Sequence, residues 1–262
     1  MSKYKRWVVK AGSQLVCSGG PLLLRAWMQQ LAILRKKHRV EVIWITSGAI
    51  ASASDRTGFK RKMKQKLQEK QALSAIGQPL VMDQYNLALQ ATGLLGAQVL
   101  LTYGDLEEKV RFTNFKNTLE TLLKWGVVPI LNENDVMATE EIKFGDNDYL
   151  SARVAGCMRA DRLVILTDVE GLYESDPKTH PNAKLVKKLS GVSPPLLNSI
   201  VRKPGSDRGT GGMYSKLKAA QYAIENGIET WLVKGDAPQA LLQVASRQRI
   251  GTRIEVPAKV QN

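Results

Sequence analysis

Apolar residues gather in six short runs along the chain, at 7–10, 40–45, 97–101, 127–131, 163–167 and 229–233. Stretches such as Val127-Val128-Pro129-Ile130-Leu131 stay apolar without alternation. Unbroken apolar runs of this length predict strands buried on both faces, as in a parallel sheet. Between them, apolar positions recur at helical spacing over about 21–37, 67–91, 112–125, 147–158, 213–226 and 237–246. Strands alternating with helices predict an α/β fold with a mostly parallel sheet and helices on both of its faces. No internal repeat or low-complexity linker divides the chain. Glu174 to Asn182 is turn-rich and predicts a hairpin excursion. Ser190 to Asp207 shows no regular period and is expected to be irregular, placed to act as a cover.

Polar residues follow the strand ends repeatedly. Val8-Val9 runs into Lys10, then Ala11-Gly12-Ser13; Val127 to Leu131 runs into Asn132-Glu133-Asn134-Asp135; Leu163 to Leu166 runs into Thr167-Asp168. In open α/β sheets, ligands bind outside the carboxyl ends of the strands. A further signal is Gly209-Thr210-Gly211-Gly212 leading into a helix that opens Met213-Tyr214-Ser215-Lys216. Glycines allow a tight turn and close approach, so backbone N–H groups can form a nest for phosphate oxygens. The helix N-terminus adds its dipole, and Lys216 on the first turn adds a full charge. The spacing is neither a Walker A motif nor a dinucleotide-binding fingerprint. A flexible surface loop before a helix accounts for the glycine segment equally well when it is taken alone.

Taken together, these segments resemble the amino-acid kinase family, over nearly the whole chain from Val8 to about Ile254. The resemblance rests on Val-Val-Lys-x-Gly at 8–12, Thr46-Ser47-Gly48-Ala49-Ile50-Ala51, Asn132-Glu133-Asn134-Asp135 and Gly145-Asp146-Asn147-Asp148 with Leu150-Ser151-Ala152. It continues through Leu166-Thr167-Asp168 with Gly171-Leu172-Tyr173, and Gly209-Thr210-Gly211-Gly212-Met213 with Lys216, all in the family's order. Asn-Glu-Asn-Asp followed by Gly-Asp-Asn-Asp points to the branch acting on glutamate rather than to those acting on aspartate, acetylglutamate, carbamate or uridylate.

The resemblance implies a three-layer αβα sandwich, with a glutamate-binding lobe over about 1–160 and a nucleotide-binding lobe over about 161–262. It implies transfer of a phosphoryl group from ATP, with Mg²⁺, to the side-chain carboxylate of L-glutamate. The product would be γ-glutamyl phosphate, and the reaction the first step of proline biosynthesis. Lys10, Lys216 and Asp148 match catalytic positions, with Asp148 holding the lysines; either Asp146 or Asp148 stands nearer the metal, and no metal ligand is assigned. Ser47, Gly48, Ala49, Asp135 and Asn147 match the substrate site. In it, Asp135 would meet the α-ammonium, and Ser47, Asn147 and backbone amides would donate to the carboxylates. Lys10, Gly12, Thr167, Asp168, Thr210, Gly211, Gly212, Met213, Tyr214, Ser215 and Lys216 match the ATP contacts. A homo-oligomer and a functional link to a glutamate-5-semialdehyde dehydrogenase are further implications. The RNA-associated PUA domain that many relatives carry at the C-terminus is expected to be absent. Alternatives are another phosphotransferase of the same family, or a non-catalytic nucleotide- or RNA-binding regulator on the same fold. Ala11, Ser13 and the Tyr214-Ser215 pair depart mildly from the family pattern.

Composition adjusts this picture only slightly. The chain has 262 residues, 44% of them hydrophobic, enough for one large core, and no apolar run approaches a membrane span. Absence of a secretory signal predicts a cytoplasmic protein. The isolated Cys17 and Cys157 fit a reducing compartment, and the two histidines, His38 and His180, are too few for a histidine metal site. A formal charge of +14 favours anionic ligands, and much of it lies between Arg56 and Lys66. Only Phe59 offers a stacking surface there, so this segment is expected to be solvated, and specific nucleic-acid binding is not expected.

Overall fold

The computed structural model describes residues 4–59, 66–138, 147–177, 179–201 and 212–257. Eight strands form one sheet: β1 (Lys5–Ala11), β2 (Val40–Ile45), β3 (Gly96–Leu101), β4 (Val128–Glu133), β5 (Arg162–Thr167), β6 (Lys188–Ser190), β7 (Glu229–Lys234) and β8 (Thr252–Glu255). Their order is β3-β4-β2-β1-β5-β7-β8-β6, and every pairing is parallel except β7 with β8. The eight α-helices among the described residues are α1 (Ser13–Ile33), α2 (Ala49–Thr57), α3 (Leu67–Gln90), α4 (Lys109–Trp125), α5 (Asn147–Cys157), α6 (Pro194–Val201), α7 (Met213–Glu225) and α8 (Ala240–Ala245).

Alternation along the central strands divides the core into two layers. Trp7, Val9 and Ala11 of β1 join Val42 and Trp44 of β2 and Val164 and Leu166 of β5, packing against Trp27 and Met28 of α1, Val81 and Tyr85 of α3 and Leu241 of α8. Val8, Ile43, Ile45, Leu163 and Ile165 point the other way, against Leu119 of α4, Val154 of α5 and Leu217 of α7. Both faces are thus covered, which is why these strands read as continuous apolar runs. The result is the expected αβα sandwich with a mainly parallel sheet.

Four differences from the sequence expectation have local causes. The first helix begins at Ser13 rather than near 21, because it breaks at Gly20 (φ 59°, ψ −167°) just before Pro21, and only the second half carries the long apolar period. It then continues into a π-helical turn, Leu34–His38. α2 was not expected, since Ala-Ile-Ala-Ser-Ala-Ser-Asp-Arg-Thr has few large apolar residues to set a period. The stretch expected to be irregular from Ser190 contains α6, whose Leu197 and Ile200 are buried three residues apart. Pro194 and Pro195 fall on the first turn of α6, where missing N–H groups cost little. Residues 202–207 of that stretch lie outside the described residues. The short β6 and β8, three and four residues, are also additions. The turn-rich segment after Tyr173 does fold back on itself, closed by an antiparallel bridge between Tyr173 and Leu185.

Parallel pairing brings the carboxyl ends of β1, β2, β4, β5 and β7 to one edge. From β1 the chain passes to β2 on one side, while from β5 it passes to β6, β7 and β8 on the other. A crevice opens where such connections diverge. Lys10 ends the inner stretch of β1 at this point.

Candidate active site

On β1, Lys10 follows Val8 onto the face covered by α5 and α7, where a lysine must find a partner or remain uncharged. The partner is Asp148, on the first turn of α5. Lys10 Nζ lies 2.6 Å from Asp148 Oδ1. From α7, Lys216 Nζ lies 3.2 Å from Asp148 Oδ2, and Ser215 Oγ donates to the same oxygen at 2.9 Å. All three ionisable groups are buried, Lys10 at 2%, Lys216 at 6% and Asp148 at 0% exposure. One carboxylate therefore holds two ammonium groups delivered by a strand and a helix far apart in sequence, and the cluster keeps a net positive charge. A Cβ placed on Gly12 would stand 3.8 Å from Lys10 Nζ, so any side chain there would begin to cover the ammonium group.

Asn147, one residue earlier on α5, faces the other way. Its Nδ2 lies 2.6 Å from the backbone oxygen of Thr46, 2.6 Å from Asn132 Oδ1 and 2.9 Å from Ser47 Oγ. Two hydrogens serve three acceptors, so the amide N–H groups are committed inside the protein. That differs from the expectation that Asn147 donates to a substrate carboxylate. Asn132, at the end of β4, passes its own Nδ2 to Gln78 Oε1 at 2.7 Å. Ser74 Oγ, one turn from Gln78 on α3, donates to Asp135 Oδ2 at 2.7 Å. Gln71 Nε2 donates to the backbone oxygens of Val136 and Ala138. Lower on α3, Tyr85 Oη accepts from Trp44 Nε1 and Thr46 Oγ1 at 2.9 and 3.0 Å. Burial pushes the Tyr85 phenol up to about 12, so it stays neutral.

One face of α3 thus grips the ends of β2 and β4 by hydrogen bonds. The helix comes this close because residue 77 is glycine: a Cβ there would fall 1.7 Å from the Ala49 oxygen. Gly48 enters α2 at φ 97°, in the left-handed region, with Cys17 Sγ 3.0 Å from where a Cβ would sit. Both geometry and space require glycine at 48. Ala49 is buried and Ser47 half-buried at this turn. The acids after β4 feel their surroundings. Burial, then the charge of Asp135, raises Glu133 to about 7; burial also raises Asp135, against the lowering effect of the Ser74 hydrogen bond.

The fold brings Lys10, Gly12, Ser47, Gly48, Ala49, Asp135, Asn147, Asp148, Ser215 and Lys216 to the same sheet edge. Thr167 and Asp168 end β5 there; Thr167 is buried, Asp168 is exposed, and the Thr167 hydroxyl donates to Asp168 Oδ1 at 3.1 Å. Gly212 caps α7, and Met213 and Tyr214 are half-buried on its first turn. Thr210, Gly211 and Asp146 lie outside the described residues. Sequence reasoning passed over Gln71, Ser74, Gln78 and Tyr85, and gave no role to Asn132 or Glu133. A signal existed: Gln71, Ser74 and Gln78 follow one another at helical spacing on a helix whose neighbouring stripe is apolar. His38 and His180 are exposed. No described helix is long and apolar enough to cross a membrane.

The amino acid kinase family model matches residues 5–234. The chain is 42% identical over 257 residues to a glutamate 5-kinase of Ralstonia nicotianae, covering 97% of this chain and 68% of the relative. It is 42% identical over 254 residues to a glutamate 5-kinase of Burkholderia thailandensis, covering 95% and 68%. To a glutamate 5-kinase of Hydrogenovibrio crunogenus it is 38% identical over 254 residues, covering 95% and 67%.

Proposed function

The chain belongs to the amino acid kinase family, and we propose that its Lys10–Asp148–Lys216 cluster carries phosphoryl transfer from ATP to the side-chain carboxylate of L-glutamate. The reaction yields γ-glutamyl phosphate and begins proline biosynthesis. The carrying observation is the pair of buried ammonium groups held on one buried carboxylate at the strand-end crevice.

No general base is needed for this chemistry. A glutamate side chain with a pKa of about 4.3 is already ionised at neutral pH. The difficulty is to bring two anions together and to stabilise the charge spread over the transferring group. Lys10 and Lys216 supply fixed positive charge, and Asp148 sets their positions without taking a proton. With both Asp148 oxygens engaged by lysines, that carboxylate does not fit a metal ligand. Mg²⁺, carried by the ATP phosphates, would neutralise their charge. Thr167, Asp168 and the α7 N-terminus line the nucleotide half, while Ser47, Gly48, Asp135 and Asn147 line the substrate half. A dehydrogenase that reduces the acyl phosphate is the expected consumer of so labile a product, and a homo-oligomer is the expected assembly.

The test is product trapping by hydroxylamine. With Mg-ATP, L-glutamate should yield hydroxamate, and L-aspartate far less, because its side chain is one methylene shorter. Equal rates for the two would overturn the glutamate assignment.

A further inference from the structure

One atom in the α3 stripe has no evident use. Gln78 Nε2 is buried and has no hydrogen-bond partner among the described residues. A buried N–H left unpaired destabilises a protein, and an apolar side chain of the same length would avoid that penalty. The value of an amide at position 78 therefore lies in its oxygen, which accepts from Asn132 Nδ2.

The direction of the whole relay follows from one fixed point. The Thr46 backbone oxygen can only accept, so the Asn147 atom 2.6 Å away must be nitrogen. Asn132 must then turn its oxygen toward Asn147 and its nitrogen toward Gln78, where only an acceptor completes the chain. At the far end stands Asn147 Oδ1. Among the described residues it takes no hydrogen bond, which makes it the atom of the 9%-exposed Asn147 left to accept from a ligand. It can accept and has no hydrogen to give. Asp135 is tied to the same helix one turn from Gln78, through Ser74.

We propose that Gln78 and Asn132 are positioning residues that make Asn147 an acceptor. Asn147 Oδ1 and the Asp135 carboxylate then receive the free α-ammonium of the substrate together. The inference rests on the glutamate reading above and adds the basis of its selectivity. An N-acylated dicarboxylate brings one neutral N–H in place of the ammonium group, leaving Asp135 without a cation, and such unpaired groups are what a polar site rejects most strongly.

The test is calorimetric titration of the full chain with L-glutamate, N-acetyl-L-glutamate and glutarate, the last being the same dicarboxylate with no amino group. Wild-type protein should bind glutamate far more tightly than the other two, with glutarate binding weak but measurable. Gln78→Met should weaken glutamate about tenfold, the worth of one charge-assisted hydrogen bond, and glutarate by less than about twofold. Its effect in turnover should fall on KM rather than kcat. Gln78→Glu, which still offers an oxygen to Asn132, should bind glutamate within about threefold of wild type on the same hydrogen-bond scale. Asn132→Leu should behave like Gln78→Met. Asn132→Asp should keep the affinity, since its carboxylate can accept from Asn147 and from a turned Gln78 amide. This second pair serves if Gln78→Met does not fold. Equal losses for glutamate and glutarate, or no loss for glutamate, would overturn the relay while leaving the kinase reading intact. Wild-type protein that binds no glutamate would instead remove the reading beneath it.

Discussion

At the scale of single residues, two kinds of charged group meet at the strand-end crevice, and they should fail differently. On the proposed reading, Lys10 and Lys216 act on charge that is greatest as the phosphoryl group passes between its two oxygens. Each replaced by alanine should lower kcat on the order of 10²–10³-fold, the typical cost of one such electrostatic contact. On the same reading, Asp135 would meet the ammonium group equally before and during transfer. Asp135→Ala should therefore mainly raise the glutamate KM. Steady-state ADP release at varied glutamate separates the two patterns. An unchanged KM in folded Asp135→Ala protein would remove Asp135 from the substrate site.

Helix α3 shows how one element sets the site at a distance. It carries Ser74, Gln78 and Tyr85 to the ends of two strands, and Gly77 allows the approach. In an exposed helix, Gly→Ala would be favourable by about 1 kcal/mol. At position 77 the new Cβ meets the backbone of Ala49, which cannot rotate away, so overpacking should dominate, at about 1–3 kcal/mol of destabilisation. Gly77→Ala should lower the urea midpoint and raise the glutamate KM by displacing the Gly48-Ala49 turn. A midpoint at or above wild type would show that α3 yields at this point.

The stability of the whole molecule should record the strain of burying acids at this edge. Glu133 has an ordinary pKa of 4.5 and is raised to about 7 in the fold, first by burial and then by Asp135. Between those values the folded state holds a proton that the unfolded chain has released. Stability is therefore highest below the lower value and falls as pH rises toward the upper one. Glu133→Gln mimics the protonated form and removes the penalty. The Tm of Glu133→Gln minus that of wild type should be small near the lower value and grow to a positive plateau above the upper one. Taking the difference cancels the general effect of a formal charge of +14 on stability. A difference that stays flat with pH would contradict the raised Glu133.

The sequence by itself determined the layers and singled out the candidate charged groups. Continuous apolar runs can be satisfied only by strands covered on both faces, and the polar residues that end those runs must collect at one edge once the strands pair in parallel. Lys10, Asp148 and Lys216 stood out as candidates because each breaks a local pattern, a charge at the end of an apolar run or on a helix's first turn. Only the tertiary structure decided what these groups touch. Strand order placed β1 beside β5, and α5 and α7 side by side, which brings Lys10 and Lys216 to the same carboxylate. The hydrogen-bond partners of Asn147 were decided there too. An amide offers donor and acceptor alike, and which end faces a ligand depends on neighbours remote in the chain, here the Thr46 carbonyl and Asn132. Gln78 stayed hidden for the same reason. Local sequence reports which faces are apolar, but it does not report which partner a polar atom finds across 54 residues of chain.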